Sequence, residues 1–265
     1  MENDYKYYLD VFFNRILDLR HSASRINTVL KRDVELVTSK DIKFISGSAL
    51  IISDWTEPTE SGWEINFHTG VAKTTIKEDY GVEVNRIISS ECCLAYAQAF
   101  EALEKYLKDC VYRKMKDDTL LVEMIKCEEN ITRERIPGGD QLFKWLTKAC
   151  GAKFKESSLK NNKNIKFKQF WSVISEVRHA ITHSSSKVRI TKIKKSDYHL
   201  AVFKHLFNYT VVDDKFYHVE LDYKRLDRVI KYIAEFGYQI HKCFSLNEPT
   251  ESDNLSVQEN TLKST

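Results

Sequence analysis

Apolar positions recur at three- and four-residue steps along four long stretches of the chain, and each stretch predicts an amphipathic helix. Residues 5 to 37 hold neither Gly nor Pro, and Tyr8, Phe12, Leu19, Ala23, Ile26, Leu30 and Val37 trace one face. From about Val84 to Tyr112, Ile88, Tyr96, Phe100, Leu103, Leu107 and Val111 turn inward, with Gln98, Glu101, Glu104, Lys105 and Lys108 mostly outward. Phe167, Phe170, Trp171, Ile174, Val177 and Ile181 mark a third helix. Leu226, Val229, Ile230, Ile233, Phe236 and Ile240 mark a last one, opened by Asp222.

Shorter patterns fill the gaps. KFISGSALIISDW and WEINFHT flank the turn EPTESG and read as a hairpin, followed by a loop over 70 to 83. NYTVV and FYHVEL flank Asp213 and Asp214 as a second hairpin. A short helix over 117 to 128 precedes a turn at Pro137, Gly138 and Gly139. Asp140 is the expected N-cap of QLFKWLTKAC, with Gly151 as its C-cap. Ser196 and Asp197 cap a helix reaching Phe207. Residues 153 to 168, with six lysines against one glutamate, read as a mobile polar connector, and the chain from Leu246 as a disordered tail. The expectation is a mostly α protein, an up-and-down helical bundle with two small β-hairpins. It divides into residues 1 to 83, a helix and hairpin of unassigned role, a bundle over 84 to 245, and the tail, 246 to 265.

Composition narrows the class. An apolar share of 42% with 30% charged residues suits a soluble globular protein, and 8 Gly with 3 Pro argue against a turn-rich β-sandwich. A net charge of +3 excludes a generally basic protein, so any nucleic-acid surface must be local. The cysteines Cys92, Cys93, Cys110, Cys127, Cys150 and Cys243 show no zinc-site spacing and read as reduced core residues. The opening MENDYKYY lacks the layout of a signal peptide and no apolar run is long enough to span a membrane, so a cytoplasmic protein is expected.

The stretch SEVRHAITHSSS, residues 175 to 186, breaks the apolar pattern. Arg178 lies seven residues after Trp171, four after Ile174 and three before Ile181, so its stem is aimed at the core seam. A guanidinium there requires a carboxylate, a phosphate or a partner subunit. His183 follows about 140° further around the helix, and Ser184, Ser185 and Ser186 favour a helix end next to it. Downstream, Lys187, Arg189, Lys192, Lys194 and Lys195 form a cationic run with no acid among 187 to 195. With the lysines of 153 to 168 it brackets the motif helix, an arrangement suited to a phosphate-rich ligand.

The six residues Arg178, His179, Ala180, Ile181, Thr182 and His183 resemble the arginine, polar residue, three residues and histidine signature of the HEPN superfamily. Phe100 and Glu101 resemble the aromatic and glutamate pair that several of its families place opposite that motif. The resemblance spans roughly residues 84 to 244. It implies a HEPN-like bundle and a metal-independent, cofactor-free endoribonuclease of the toxin or phage-defence type. Two subunits would join their arginines and histidines in one cleft, with an antitoxin or defence-system partner protein as a further expectation. His183 would act as base or acid and Arg178 as phosphate clamp, while His179 would contact the phosphate or orient the site. Cleavage by the 2′-hydroxyl would leave a 2′,3′-cyclic phosphate and a 5′-hydroxyl.

Other readings of the same residues stay open. Arg178 pairing with a carboxylate such as Glu101, and His183 capping a helix end, would make the motif structural. Glu101 itself stands four residues before Lys105 and is open to a solvated pair with it. A non-catalytic RNA- or protein-binding dimerisation module of the same fold would use the cationic runs without cutting. His179 and His183 have the spacing of a metal-binding pair, but Ala180 stands where a metalloprotease needs glutamate. Glu176, His179 and His183 share a stripe, which allows a carboxylate to orient a histidine.

Overall fold

The structure, a computed structural model, describes residues 4–41, 44–54, 66–125 and 131–245. It is mostly α with two small antiparallel sheets. Helix α1 (Asp4–Thr38) buries Tyr5, Leu9, Phe12, Ile16, Leu19 and Ala23, which alternate at four- and three-residue steps and so form one straight seam. That seam lies on α2 (Tyr80–Asp117) and α8 (Tyr223–Ser245). Beyond Ala23 the stripe is only half-buried at Ile26, Leu30 and Val37. The close approach of α1 and α8 depends on Gly237, where an added Cβ would lie 2.6 Å from the Phe12 ring.

The inward positions expected for α2 and α8 are all buried. Helix α2 runs through the bundle centre, and Tyr96, wholly buried, donates its hydroxyl proton to the Ile174 carbonyl of α5 (Phe167–His183). Trp171 of α5 packs 5.2 Å from Phe100 on α2 and 6.4 Å from Phe236 on α8, ring centre to ring centre. Burying side chains of this size stabilises by roughly 1.5 to 3 kcal/mol each. The motif helix is therefore fixed by its aromatic underside.

Several boundaries differ from the sequence expectation. The first hairpin is β1 (Phe44–Ser53) with β2 (Asn66–Ile76), so the expected loop over 70 to 83 is strand, one 3₁₀ turn and the start of α2. Lys73 on β2 bonds Glu83 on α2, which ties the two together. The EPTESG turn lies outside the described residues, as do the end of the 117 to 128 helix, Cys127 and the tail from Leu246. Of the expected 117 to 128 helix, α3 covers Thr119–Ile125.

Helix α4 (Gly139–Leu159) starts from Gly138, not Asp140, which stands in its first turn. Gly151 takes φ +68°, as a helix-ending glycine does, yet helix resumes beyond it. The mobile connector expected from 153 is thus helical to Leu159. The loop after it is held by Asn161, whose side chain bonds the backbone of Ser157, Lys163 and Ile165.

Beyond α5, β3 (Lys187–Arg189) joins the second hairpin as a third strand in the order β3-β5-β4, with β4 Asn208–Val211 and β5 Phe216–Glu220. A short α6 (Ile190–Ile193) and α7 (Asp197–Leu206) lie between. Ser196 caps α7 by accepting from the His199 amide, and Asp222 accepts from the Arg225 amide at the head of α8, as their positions predict. Among the described residues no helix is long and apolar enough to cross a membrane.

Candidate functional site

Helix α5 ends at His183 because the serines after it leave helical geometry. Ser184 closes the last turn, and Ser185 and Ser186 adopt φ +49° and +62°. Left-handed conformations at two successive non-glycine residues are uncommon and carry strain. The amides of Ser184 and Ser186 both donate to the Ala180 carbonyl, and the Ser186 carbonyl accepts from Val219 of β5. The strained turn therefore locks the end of the motif helix to the sheet.

Arg178 stands three-quarters covered one turn earlier. Its guanidinium lies over the Phe100 ring, 5.7 Å from the centroid, and one Nη donates to Glu101 Oε1 at 3.4 Å. Glu101 is half exposed and makes no described contact with Lys105. Arg178 Nε is screened from solvent and has no hydrogen-bond partner among the described residues. Of its five N–H donors, one is engaged among the described residues. The arginine is held in place, with Nε unpaired among the described residues.

It lines a cleft of about 700 Å³ together with His179, Ser172, Ser175, Arg189 and Lys192. The opposite wall is the start of α4, Gly138 to Asp140, which Trp171 secures by donating its indole N–H to the Gly139 carbonyl at 3.2 Å. Gly138 allows this wall to approach α2, since a Cβ there would meet the Glu104 carboxylate. The carboxylates in the cleft are partly engaged. Lys192 stands 3.4 Å from Glu176, and Lys108 3.6 Å from Glu104.

The sequence candidates divide accordingly. Arg178, His179, Arg189 and Lys192 meet in the cleft, and Glu101 touches its arginine. His183 is exposed and does not line the cleft; its ring lies 5.0 Å from that of His179. Glu176 pairs with Lys192, and no hydrogen bond from it to either histidine is found among the described residues. Lys195 donates to Ser172 at the cleft edge, whereas Lys187 and Lys194 are exposed outside it. The Pro-Gly-Gly turn was legible as a turn, but its role as the facing wall was not.

Among the described residues no group of three or more His, Cys, Asp or Glu side chains is placed to hold a metal. The described cysteines are buried, and none of them is in a disulfide. Burial pushes the Cys92 thiol up to about 12 and Cys93 up to about 11, so both stay protonated at neutral pH. No protein-family model matches the chain, and no curated protein or solved structure matches it.

Proposed function

We propose that the chain is a HEPN-like, metal-independent endoribonuclease of the toxin or phage-defence type, working as a homodimer on RNA. The observation that carries this reading is Arg178: a guanidinium fixed by Phe100 and Glu101 at a cleft wall, with most of its donors unspent among the described residues. Such donors match the oxygens of a phosphate whose charge grows as the 2′-hydroxyl attacks. Histidine is the side chain suited to remove the hydroxyl proton and to return one to the leaving 5′-oxygen near neutral pH. In a single chain Arg178 and His179 line the cleft while the exposed His183 lies outside it, so a second copy would supply His183 to the bound phosphate. A cytoplasmic location and a neutralising or defence-system partner protein belong to the same proposal.

The exposed position of His183 favours a second reading, a non-catalytic RNA- or protein-binding module of the same fold. Incubating purified protein with total RNA and tRNA in excess EDTA separates the two. Fragments ending in 2′,3′-cyclic phosphate support the nuclease, and full-length RNA across substrates supports the binding module. Solution mass is the companion measurement, because a strict monomer has no composite cleft.

A further inference from the structure

The lysine-rich stretch of residues 153 to 168 has no role in the chemistry above, yet its end is built into an ordered surface. Tyr198 at the head of α7 accepts from the Lys166 amide at 2.8 Å and donates to the Asn164 carbonyl at 2.7 Å, which fixes the loop against α7. Asn164 holds φ +53° to make this possible. The Lys166 ammonium lies 5.1 Å from the centre of the Tyr198 ring, and that of Lys163 lies 4.9 Å from the centre of the Tyr232 ring on α8. Between the two tyrosines is a notch of about 240 Å³, floored by Phe170 and closed by His205, which bonds the Tyr232 hydroxyl at 3.1 Å.

Helix α5 contributes to both places, Phe170 to the notch and Ser172, Ser175 and His179 to the cleft. Lys168, Ser172, Ser175, His179 and His183 follow at four- and three-residue steps, so one stripe runs about 22 Å from the notch end of the helix to its last turn. Lys195 and Lys192 reach over that stripe to Ser172 and Glu176. Cations thus recur from the notch to the cleft, and the half-buried aromatic rings stand at one end.

We propose that Tyr198 and Tyr232, with Lys163 and Lys166, form a stacking platform for the bases of single-stranded RNA whose backbone follows α5 into the cleft. The proposal rests on the ribonuclease reading and adds its substrate class. Rings flanked by cations are what single-strand binding requires, since every base offers a π face and every phosphate a charge. A duplex keeps its bases stacked inside and cannot enter the notch. Each lysine sits on a tyrosine by a weak exposed contact, and Lys163 is also held by the exposed Glu235; a phosphate can draw both ammonium groups away as a base takes the ring face.

The test uses a 2′-O-methyl oligonucleotide of roughly 16 nucleotides, at the long end of single-strand sites. It lacks the attacking hydroxyl, so binding is read apart from cleavage. The full chain should bind the single strand more tightly than the same strand in a duplex. Tyr232→Leu, which fills the notch without a π face, should weaken binding on the order of 5- to 150-fold, the loss of one base stack, while Tyr232→Phe retains it. Lys163→Ala with Lys166→Ala should lower the slope of log affinity against log salt by about 0.7 for each phosphate that is no longer neutralised. Equal binding of duplex, wild-type binding by Tyr232→Leu, or displacement by poly-glutamate as effective as by RNA would overturn the platform, the last marking a surface for acidic protein. Binding as expected without cleavage of unmodified RNA sinks the nuclease and leaves the platform; cleavage with unaltered variant binding does the reverse.

Discussion

Arg178 on α5 and Glu101 on α2, 77 residues apart in sequence, meet at 3.4 Å with the Phe100 ring beneath the guanidinium. The pair sits at the rim of the cleft, and its carboxylate is half exposed. An exposed pair of this kind contributes about 0 to 1 kcal/mol to stability. Glu101→Gln should therefore leave urea unfolding within about 1 kcal/mol of the parent. It should slow RNA cleavage on the order of 10- to 100-fold, because Arg178 loses its orientation. A stability loss above about 2 kcal/mol with unchanged cleavage would make the pair structural.

Phe100 has the opposite balance. It is 1% exposed, packs on Trp171 and supports Arg178, so Phe100→Ala should cost about 3 to 5 kcal/mol. Chemical denaturation measures this, and a cost below about 1 kcal/mol would contradict the packing described.

Gly237→Ala tests the contact of α1 with α8. Alanine favours helix over glycine by about 1 kcal/mol, but its Cβ would meet the Phe12 ring at 2.6 Å. That ring is stacked on Tyr106 at 5.2 Å and has little room to yield. A net loss of about 1 to 3 kcal/mol is expected, as for overpacked cores, and a gain in Tm would show that the helices separate freely.

Mild acid should weaken the α7 region. Burial, then Arg228 and Arg225, hold the His205 imidazole below its usual value, and burial, then Lys195 and Lys168, do the same for His199. Both are thus more readily protonated in the unfolded chain. Stability is complete above the unfolded histidine value of about 6.5 and falls as pH drops below it. Tm should decline from pH 7 to pH 5, and His205→Gln should flatten part of that decline. An unchanged slope in the variant would remove His205 as the cause.

The long helices were legible because their apolar stripes are continuous, as in Leu226 to Ile240 of α8. Junctions were less so. Gly151 carries the signal of a helix end and obeys it for one residue, after which Phe154 returns to the core and helix continues. Lys187 to Arg189 is too short to show alternation and becomes a strand only because β5 offers an edge. At the site, the motif fixed which residues lie on α5, but the meeting of Arg178 with Glu101 and the wall from Gly138 to Asp140 are tertiary. No local spacing encodes them.

Whether Arg178 and His183 cut RNA without metal is tested most directly by single-turnover cleavage of end-labelled RNA in excess EDTA. The parent is compared with Arg178→Ala and His183→Ala after far-UV circular dichroism has established that both fold. The expected result is fragments bearing 2′,3′-cyclic phosphate from the parent and a rate lower by about 10²- to 10⁴-fold in each variant. Intact RNA with the parent, or variants that cut at the parental rate, would contradict it.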